Sequence, residues 1–286
     1  MDTELLKTFL EVQRTRHFGK AAENLYLTQS AVSFRIRQLE QQLGVNLFSR
    51  YRNNIQLTAA GDRLLPHAQS ILTALQRAKQ EVALSSKQAQ QVSIAATANV
   101  WDSFLLPGFI QVQQCYPALA WRAESLGREQ ISRLLLERNL DLAVVFDPPK
   151  VEEIQVEKLD DIKLIAVTSS EHTEATAAMA QHYILVDWGT SFDIQHAKHF
   201  ADIPPPQLRT GSAKIALEML LQGPATAYLP QIMVQPLLQS NRLRKVNNAP
   251  QMSRELFAAT LHQATNEQLL QAITSQLRQH IKNLAA

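Results

Sequence analysis

A chain of 286 residues, 45% hydrophobic and 19% charged, holds apolar material for two or three compact cores and exceeds one small module. Its net charge of +2 hides an asymmetry: residues 1–90 carry 12 Lys/Arg against 7 Asp/Glu, leaving 16 against 19 in the rest. No apolar run approaches the roughly 18 residues that cross a bilayer, so a membrane partner is not expected. The start Met1-Asp2-Thr3-Glu4 is acidic where an export signal is basic, and the single Cys115 permits no intrachain disulfide. Both favour a cytoplasmic protein.

Leu5, Leu6, Phe9, Leu10 and Val12 recur at helical spacing over Thr3 to Gln13. Arg14 to Gly19 interrupts the pattern, and Lys20 to Leu25 forms a short second helix with paired alanines. Thr28 is placed to cap a third helix, Gln29 to about Leu43. There Val32, Ile36, Leu39 and Leu43 make one narrow core-facing stripe, and Gly44 supplies the stop. Gln29, Ser30, Ser33, Phe34, Arg37 and Gln41 point away from it, which suits a recognition helix meeting base edges. Leu47-Phe48 and Ile55-Gln56-Leu57 flank a basic turn, a β-hairpin wing from which Arg50, Arg52 and Asn53 reach the duplex.

These residues carry a resemblance. Phe9, Phe18-Gly19-Lys20-Ala21-Ala22, Leu25, Thr28-Gln29-Ser30-Ala31-Val32-Ser33, Ile36, Leu39-Glu40, Leu43-Gly44, Leu47-Phe48, Arg50, Leu57-Thr58 and Gly61 resemble the N-terminal signature of LysR-type transcription regulators. The resemblance implies a sequence-specific regulator, not an enzyme, whose partner is double-stranded DNA. Its expected contacts are Phe18, Lys20, Thr28, Gln29, Ser30, Ser33, Phe34, Arg35, Arg37, Arg50, Arg52 and Asn53. Arg16-His17 and Phe34 depart from the usual pattern and bear on which DNA is read.

From the cap Thr58 to about Ser85 runs a long helix with Pro66 near its start. Leu64, Ile71 and Ala78, interleaved with Ala68, Leu75 and Val82, repeat at heptad spacing, a seam for a second copy. LysR-type linker helices pair in this way, and the resemblance extends to tetramers and to RNA polymerase as a further candidate partner. Ser85 to Gln91 is polar and unpatterned, a hinge.

Beyond it, strand-like runs (Val92–Ala96, Ala120–Ala123, Leu142–Phe146, Leu164–Val167, Tyr183–Val186, Leu256–Leu261) alternate with helical ones (Phe104–Gln114, Glu129–Arg138), an α/β arrangement. Leu106-Pro107, Tyr116-Pro117, Asp141-Leu142-Ala143 and Leu229-Pro230 fall in the order of landmarks in LysR-type effector domains. That looser resemblance implies two lobes, as in periplasmic binding proteins, joined by two crossing strands, with a small-molecule effector between them. The expected division is 1–58 winged helix-turn-helix, 59–90 linker and hinge, and 91–286 effector domain. Its first lobe covers about 91–162 and 259–286, its second about 163–258. Altered here is the glycine-rich approach to Leu229-Pro230, which Pro224 stiffens.

Hydroxyl and amide groups at strand ends are the expected effector contacts: Thr97, Asn99, Thr168, Ser169, Ser170, Thr210 and Ser212. Each is also an ordinary helix cap, and Trp101 is either a core aromatic or a stacking wall. No phosphate-binding glycine loop, catalytic serine elbow or zinc-helix motif occurs, so no cofactor is expected. His196 and His199 stand at i, i+3 without a third metal ligand and are expected as a solvated pair. Cys115, on an apolar helix, is expected as a buried, inert thiol. A constitutive DNA-binding protein with an empty cleft remains the alternative to a ligand-responsive one.

Overall fold

The computed structural model describes residues 2–51, 54–82, 90–262, 264 and 266–285. The chain divides into two compact units, Met1–Ala83 and Leu84–Ala286. Among the described residues no helix is long and apolar enough to cross a membrane.

In the first unit, α1 (Thr3–Thr15) starts at Asp2, whose carboxylate accepts from the Glu4 N–H. Helix α2 (Phe18–Asn24) begins two residues earlier than periodicity suggests, because His17 caps it: Nδ1 accepts from the Gly19 and Lys20 N–H groups. Helix α3 (Gln29–Leu43) starts at Thr28, which accepts from Ala31 N–H, and ends on left-handed Gly44. Leu5, Leu6, Phe9, Val12, Val32, Ile36 and Leu39 bury together. Leu43 does not join them: it is 38% exposed, since the last turn of α3 runs past the core. The wing pairs β1 (Phe48–Tyr51) with β2 (Asn54–Leu57) antiparallel, Phe48 opposite Leu57 and Tyr51 opposite Asn54.

Helix α4 (Ala59–Val82) is 24 residues long and contains Pro66. Thr58 Oγ1 caps it at Gly61 N–H, where the chain passes so close to the Leu47 carbonyl that a Cβ on Gly61 would collide. The expected heptad seam needs one correction. Ala68 is fully buried within its own unit and Leu64 packs on the same core, so the first turns of α4 belong to the helix-turn-helix. Ile71, Ala78 and Val82 are exposed and Leu75 is half-buried, which leaves the later part of the stripe open. Of the expected hinge, residues 85–89 lie outside the described residues, and Gln90-Gln91 already belong to a strand.

The second unit opens with β3 (Gln90–Ala96), followed by α5 (Ala98–Val100), a π-helical turn over Trp101–Leu105, and α6 (Leu106–Cys115). Then come β4 (Leu119–Ser125), α7 (Arg128–Leu136), β5 (Leu142–Val145), β6 (Ile154–Thr168), α8 (Ala175–Ala180), β7 (Tyr183–Val186) and α9 (Thr190–His199). The chain ends with β8 (Leu208–Thr210), α10 (Ala213–Gln222), β9 (Thr226–Pro230), α11 (Gln231–Gln239), β10 (Arg244–Lys245), β11 (Met252–Leu261) and α12 (Glu267–Ala285).

Strand order explains the two lobes. The parallel trio β4-β3-β5 and the parallel trio β9-β7-β8 sit at opposite ends of one sheet, joined through antiparallel β11 and β6. Strand β6 is 15 residues long: its first half faces β11 alone, and Leu164 to Thr168 pair with β9 in the second lobe. Strand β11 reaches β5 through Phe257, Ala258 and Ala259. Two antiparallel strands crossing between the two parallel trios make a two-lobed α/β unit. Helix α12 returns to the first lobe, where Arg278 pairs with Glu157 and the His280 ring meets Gln111 at 2.8 Å.

Two expectations about single residues are overturned. Cys115 is exposed: the buried face of α6 runs Phe109, Val112, Tyr116, and Cys115 sits about 100° away from it. His196 is buried, whereas His199 is exposed. Helix α9 turns Phe192 and His196 inward at i, i+4, and the imidazole lies among Tyr183, Phe192, Phe200 and Tyr228. Its Nε2 meets the Tyr183 hydroxyl at 2.7 Å, and burial holds its pKa below the ordinary histidine value.

Candidate nucleic-acid interface and effector cleft

The outward side of α3 carries what base recognition needs. Gln29, Ser30 and Arg37 are exposed, Ser33 is half-buried beside them, and Phe34 stands 61% exposed. Lys20 is exposed on α2. Thr28 Oγ1, besides capping Ala31, lies 3.0 Å from Ser30 Oγ, so the two hydroxyls at the start of α3 are already coupled. Backbone N–H groups and the positive end of the helix dipole gather at the same point, favourable to a phosphate.

Two of the expected contacts are engaged elsewhere. Arg35 turns back onto α1, with Nη1 3.4 Å from Thr8 Oγ1 and 3.6 Å from Glu4 Oε2. Phe18 is half-buried, its ring 6.4 Å from that of Phe48 in an edge-on contact. The side chain of Arg50, and all of Arg52 and Asn53, lie outside the described residues. Tyr26, which sequence reasoning did not single out, occupies the turn before α3 with φ +54° and is 96% exposed. Nothing in the periodicity marks it, because a turn has no buried face.

In the second unit, a cavity of about 340 Å³ opens at the carboxyl ends of β3, β4, β5 and β7. Such strand ends are where α/β sheets bind ligands. Thr97, Asn99, Ser125, Gly127, Arg128, Phe146, Asp147, Asp187, Gly189 and Gly211 contribute its wall. The first six, with Asp147, come from the first lobe; Asp187, Gly189 and Gly211 come from the second. Contacts cross between them: the Asn99 side-chain amide donates to the Asp187 carbonyl, and Ser212 Oγ donates to Asp102 at 2.5 Å. Gly189 (φ +91°) admits the neighbouring carboxylate, since a Cβ there would collide with Asp147.

The charges in the cleft are organised around one guanidinium. Arg128 Nη1 lies 3.1 Å from Asp147 and Nη2 lies 3.6 Å from Asp187. Behind Asp147 stands Arg254 of β11, its side chain only 5% exposed, 2.6 Å away and 5.6 Å over the Phe146 ring. Burial, then the nearby Asp187 charge, raise the Asp193 pKa.

The expected effector residues therefore divide. Thr97 and Asn99 line the cleft, with Thr97 Oγ1 donating to Asn99. Thr210 and Ser212 flank Gly211 at its rim, where Thr210 accepts from Ser212 N–H and Ser212 caps α10. Thr168 and Ser169 are bound to the Gly223–Ala225 loop instead: Thr168 donates to Ala225, and Ser169 donates to Gly223 while accepting from Ala225 N–H. Ser170 accepts from His172 N–H. Trp101 donates to the Glu124 carbonyl and packs edge-on against Phe109, as a core aromatic. Sequence reasoning missed Arg128, Asp147 and Asp187. Asp187 directly follows the apolar β7 and Asp147 lies just past the apolar β5, and that signal was available to it. Among the described residues no group of three or more His, Cys, Asp or Glu could hold a metal.

Residues 3–62 match the family model "Bacterial regulatory helix-turn-helix protein, lysR family", and residues 85–282 match "LysR substrate binding domain". The HTH-type transcriptional regulator HdfR of Yersinia enterocolitica is 42% identical over 96% of this chain and 95% of its own. HdfR of Escherichia coli O139:H28 is 41% identical over 94% and 95%. The full-length regulator CbnR, solved with its target DNA, has a TM-score of 0.71 at 17% identity, covering 99% of this chain and 100% of its own.

Proposed function

The chain belongs to the LysR family of DNA-binding transcriptional regulators, and we propose that it reads promoter DNA through α3 as a homodimer paired along α4. The supporting observation is the outward face of α3: Gln29, Ser30, Phe34 and Arg37 are exposed over a helix start fixed by Thr28. Gln29, Ser30, Ser33 and Phe34 take the base edges, and Lys20 with the wing residues Arg50, Arg52 and Asn53 takes phosphates. Once the bound promoter is mapped, Gln29→Ala should weaken it by about 1–3 kcal/mol and leave random DNA almost unchanged. Equal loss on both would remove Gln29 from base recognition. A flagellar master-operon promoter is the first to try, since the N-terminal sequence resembles the enterobacterial repressor of that operon.

The second unit acts as the sensor. The interlobe cleft binds a small molecule, and its occupancy alters the hinge at β6 and β11, hence DNA binding or contact with RNA polymerase. The site of action is the cytoplasm, and pairs of dimers associate into tetramers. DNA binding measured with and without fractionated metabolites tests the sensor; no response in any fraction would favour a constitutive regulator.

A further inference from the structure

Asp147 and Asp187 face one another from opposite lobes, and the only described side chain joining them is Arg128. Asp147 is held in place by buried Arg254 and by the space that Gly189 leaves, so it is built into the wall. Asp187 is looser: its Oδ1 accepts from Gly189 N–H at 2.9 Å, and its side chain is 54% exposed. Arg128 is 41% exposed, so water competes for it and it can leave. Arg254 neutralises Asp147. Among the described residues Arg128 is the cation paired with Asp187, while the neighbouring Asp193 also feels the Arg209 charge. An arriving anion meets those carboxylates, and an arriving cation meets partners already arranged for a guanidinium.

Resting on the reading of this cleft as the effector site, we infer that its effector carries an ammonium or guanidinium group, which displaces Arg128 from between Asp147 and Asp187. Arg128 is in effect a tethered competitor. It joins the lobes in the free protein, and the ligand's cation takes over that junction with geometry of its own. About 340 Å³ accommodates an amino acid or a small polyamine beside the displaced arginine. The same displacement makes the response reversible, because the tethered group returns when ligand leaves.

Full-length protein is titrated calorimetrically with L-arginine, L-lysine, agmatine and putrescine, with succinate and glutarate as the opposite charge class. At least one cationic probe is expected to bind. Asp187→Asn should weaken it about tenfold or more, the loss of one hydrogen bond to a charged group. Arg128→Ala should tighten the same probe several-fold by removing the competitor. Gain in one variant and loss in the other is a pair that general damage to the cleft does not produce. Three results overturn the inference: no cationic probe binding, binding that both variants leave unchanged, or weakening by Arg128→Ala. Succinate or glutarate binding that Arg128→Ala abolishes would also overturn the charge class while leaving the cleft as the effector site.

Discussion

His17 accepts from two backbone donors with one nitrogen: Nδ1 lies 3.0 Å from Gly19 N and 3.2 Å from Lys20 N. The imidazole thus caps α2 and fixes how the first half of the helix-turn-helix leaves α1. A serine can do the same with its hydroxyl, and an alanine cannot. His17→Ala should cost about 0.5–2 kcal/mol of first-unit stability, and His17→Ser should recover most of it. Hydrogen exchange at Gly19 and Lys20 measures this locally. Unchanged protection in the alanine variant would mean that the cap carries no weight.

The open part of α4 sets the second prediction. Ile71, Leu75, Ala78 and Val82 follow one another at i, i+4, i+7 and i+11, on a face that leaves Leu64, Ala68 and Leu72 to the helix-turn-helix core. A second copy laid along that stripe would cover Val82, now 88% exposed. Leu75→Glu places a charge in the seam and should shift sedimentation toward monomer, with a parallel loss of cooperative DNA binding. Leu64→Glu should instead unfold the first unit, because Leu64 packs on its own core. If Leu75→Glu sediments as wild type, the pairing runs along another face.

Burial of His196 gives a prediction about acid. Its pKa in the folded chain lies below the ordinary value, chiefly from desolvation and secondly from the Arg209 charge. The unfolded chain therefore binds the proton first. Stability is complete above the unfolded value near 6.5 and falls as pH drops from there through the lowered folded value. Urea melts of the second unit should show a lower midpoint at pH 5.5 than at pH 7.5. His196→Phe, which keeps the aromatic cluster with Tyr183 and Tyr228, should flatten that slope. A slope that survives the substitution belongs to another group.

Where periodicity and burial coincide, the residues announced the structure. The stripe Val32, Ile36, Leu39 and the cap at Thr28 located α3 to the residue. The first half of β6 was illegible for the opposite reason: Glu157, Lys158, Asp160 and Asp161 interrupt its apolar positions, and only its pairing with β11 holds it as a strand. At the cleft, a search for hydroxyls reached Thr97 and the rim but passed over Asp147 and Asp187. Carboxylates just past apolar strands read as turns until the two lobes bring them face to face. Thr168 and Ser169 sit at a strand end as well, yet the Gly223–Ala225 loop, more than 50 residues away in the chain, claims their hydrogen bonds.

Phe34 carries the last prediction. In the first unit it is 61% exposed on α3, while Val32, Ile36 and Leu39 fill the core behind it. A phenyl ring held in water gains when it enters an apolar contact, and the apolar feature of the major groove is the thymine methyl. Gln29, Ser30 and Ser33 on the same helix supply flanking hydrogen bonds, so the ring would be one element of a mixed recognition surface. Phe34→Ala should lower affinity for the mapped promoter by about 1–3 kcal/mol and barely alter random DNA. Thermal stability should hold, because little of the ring is buried. Uracil in place of the contacted thymine should reproduce the loss in wild type and add nothing in the variant. An equal loss on all DNA with a lowered melting temperature would assign Phe34 to the fold and remove it from the groove.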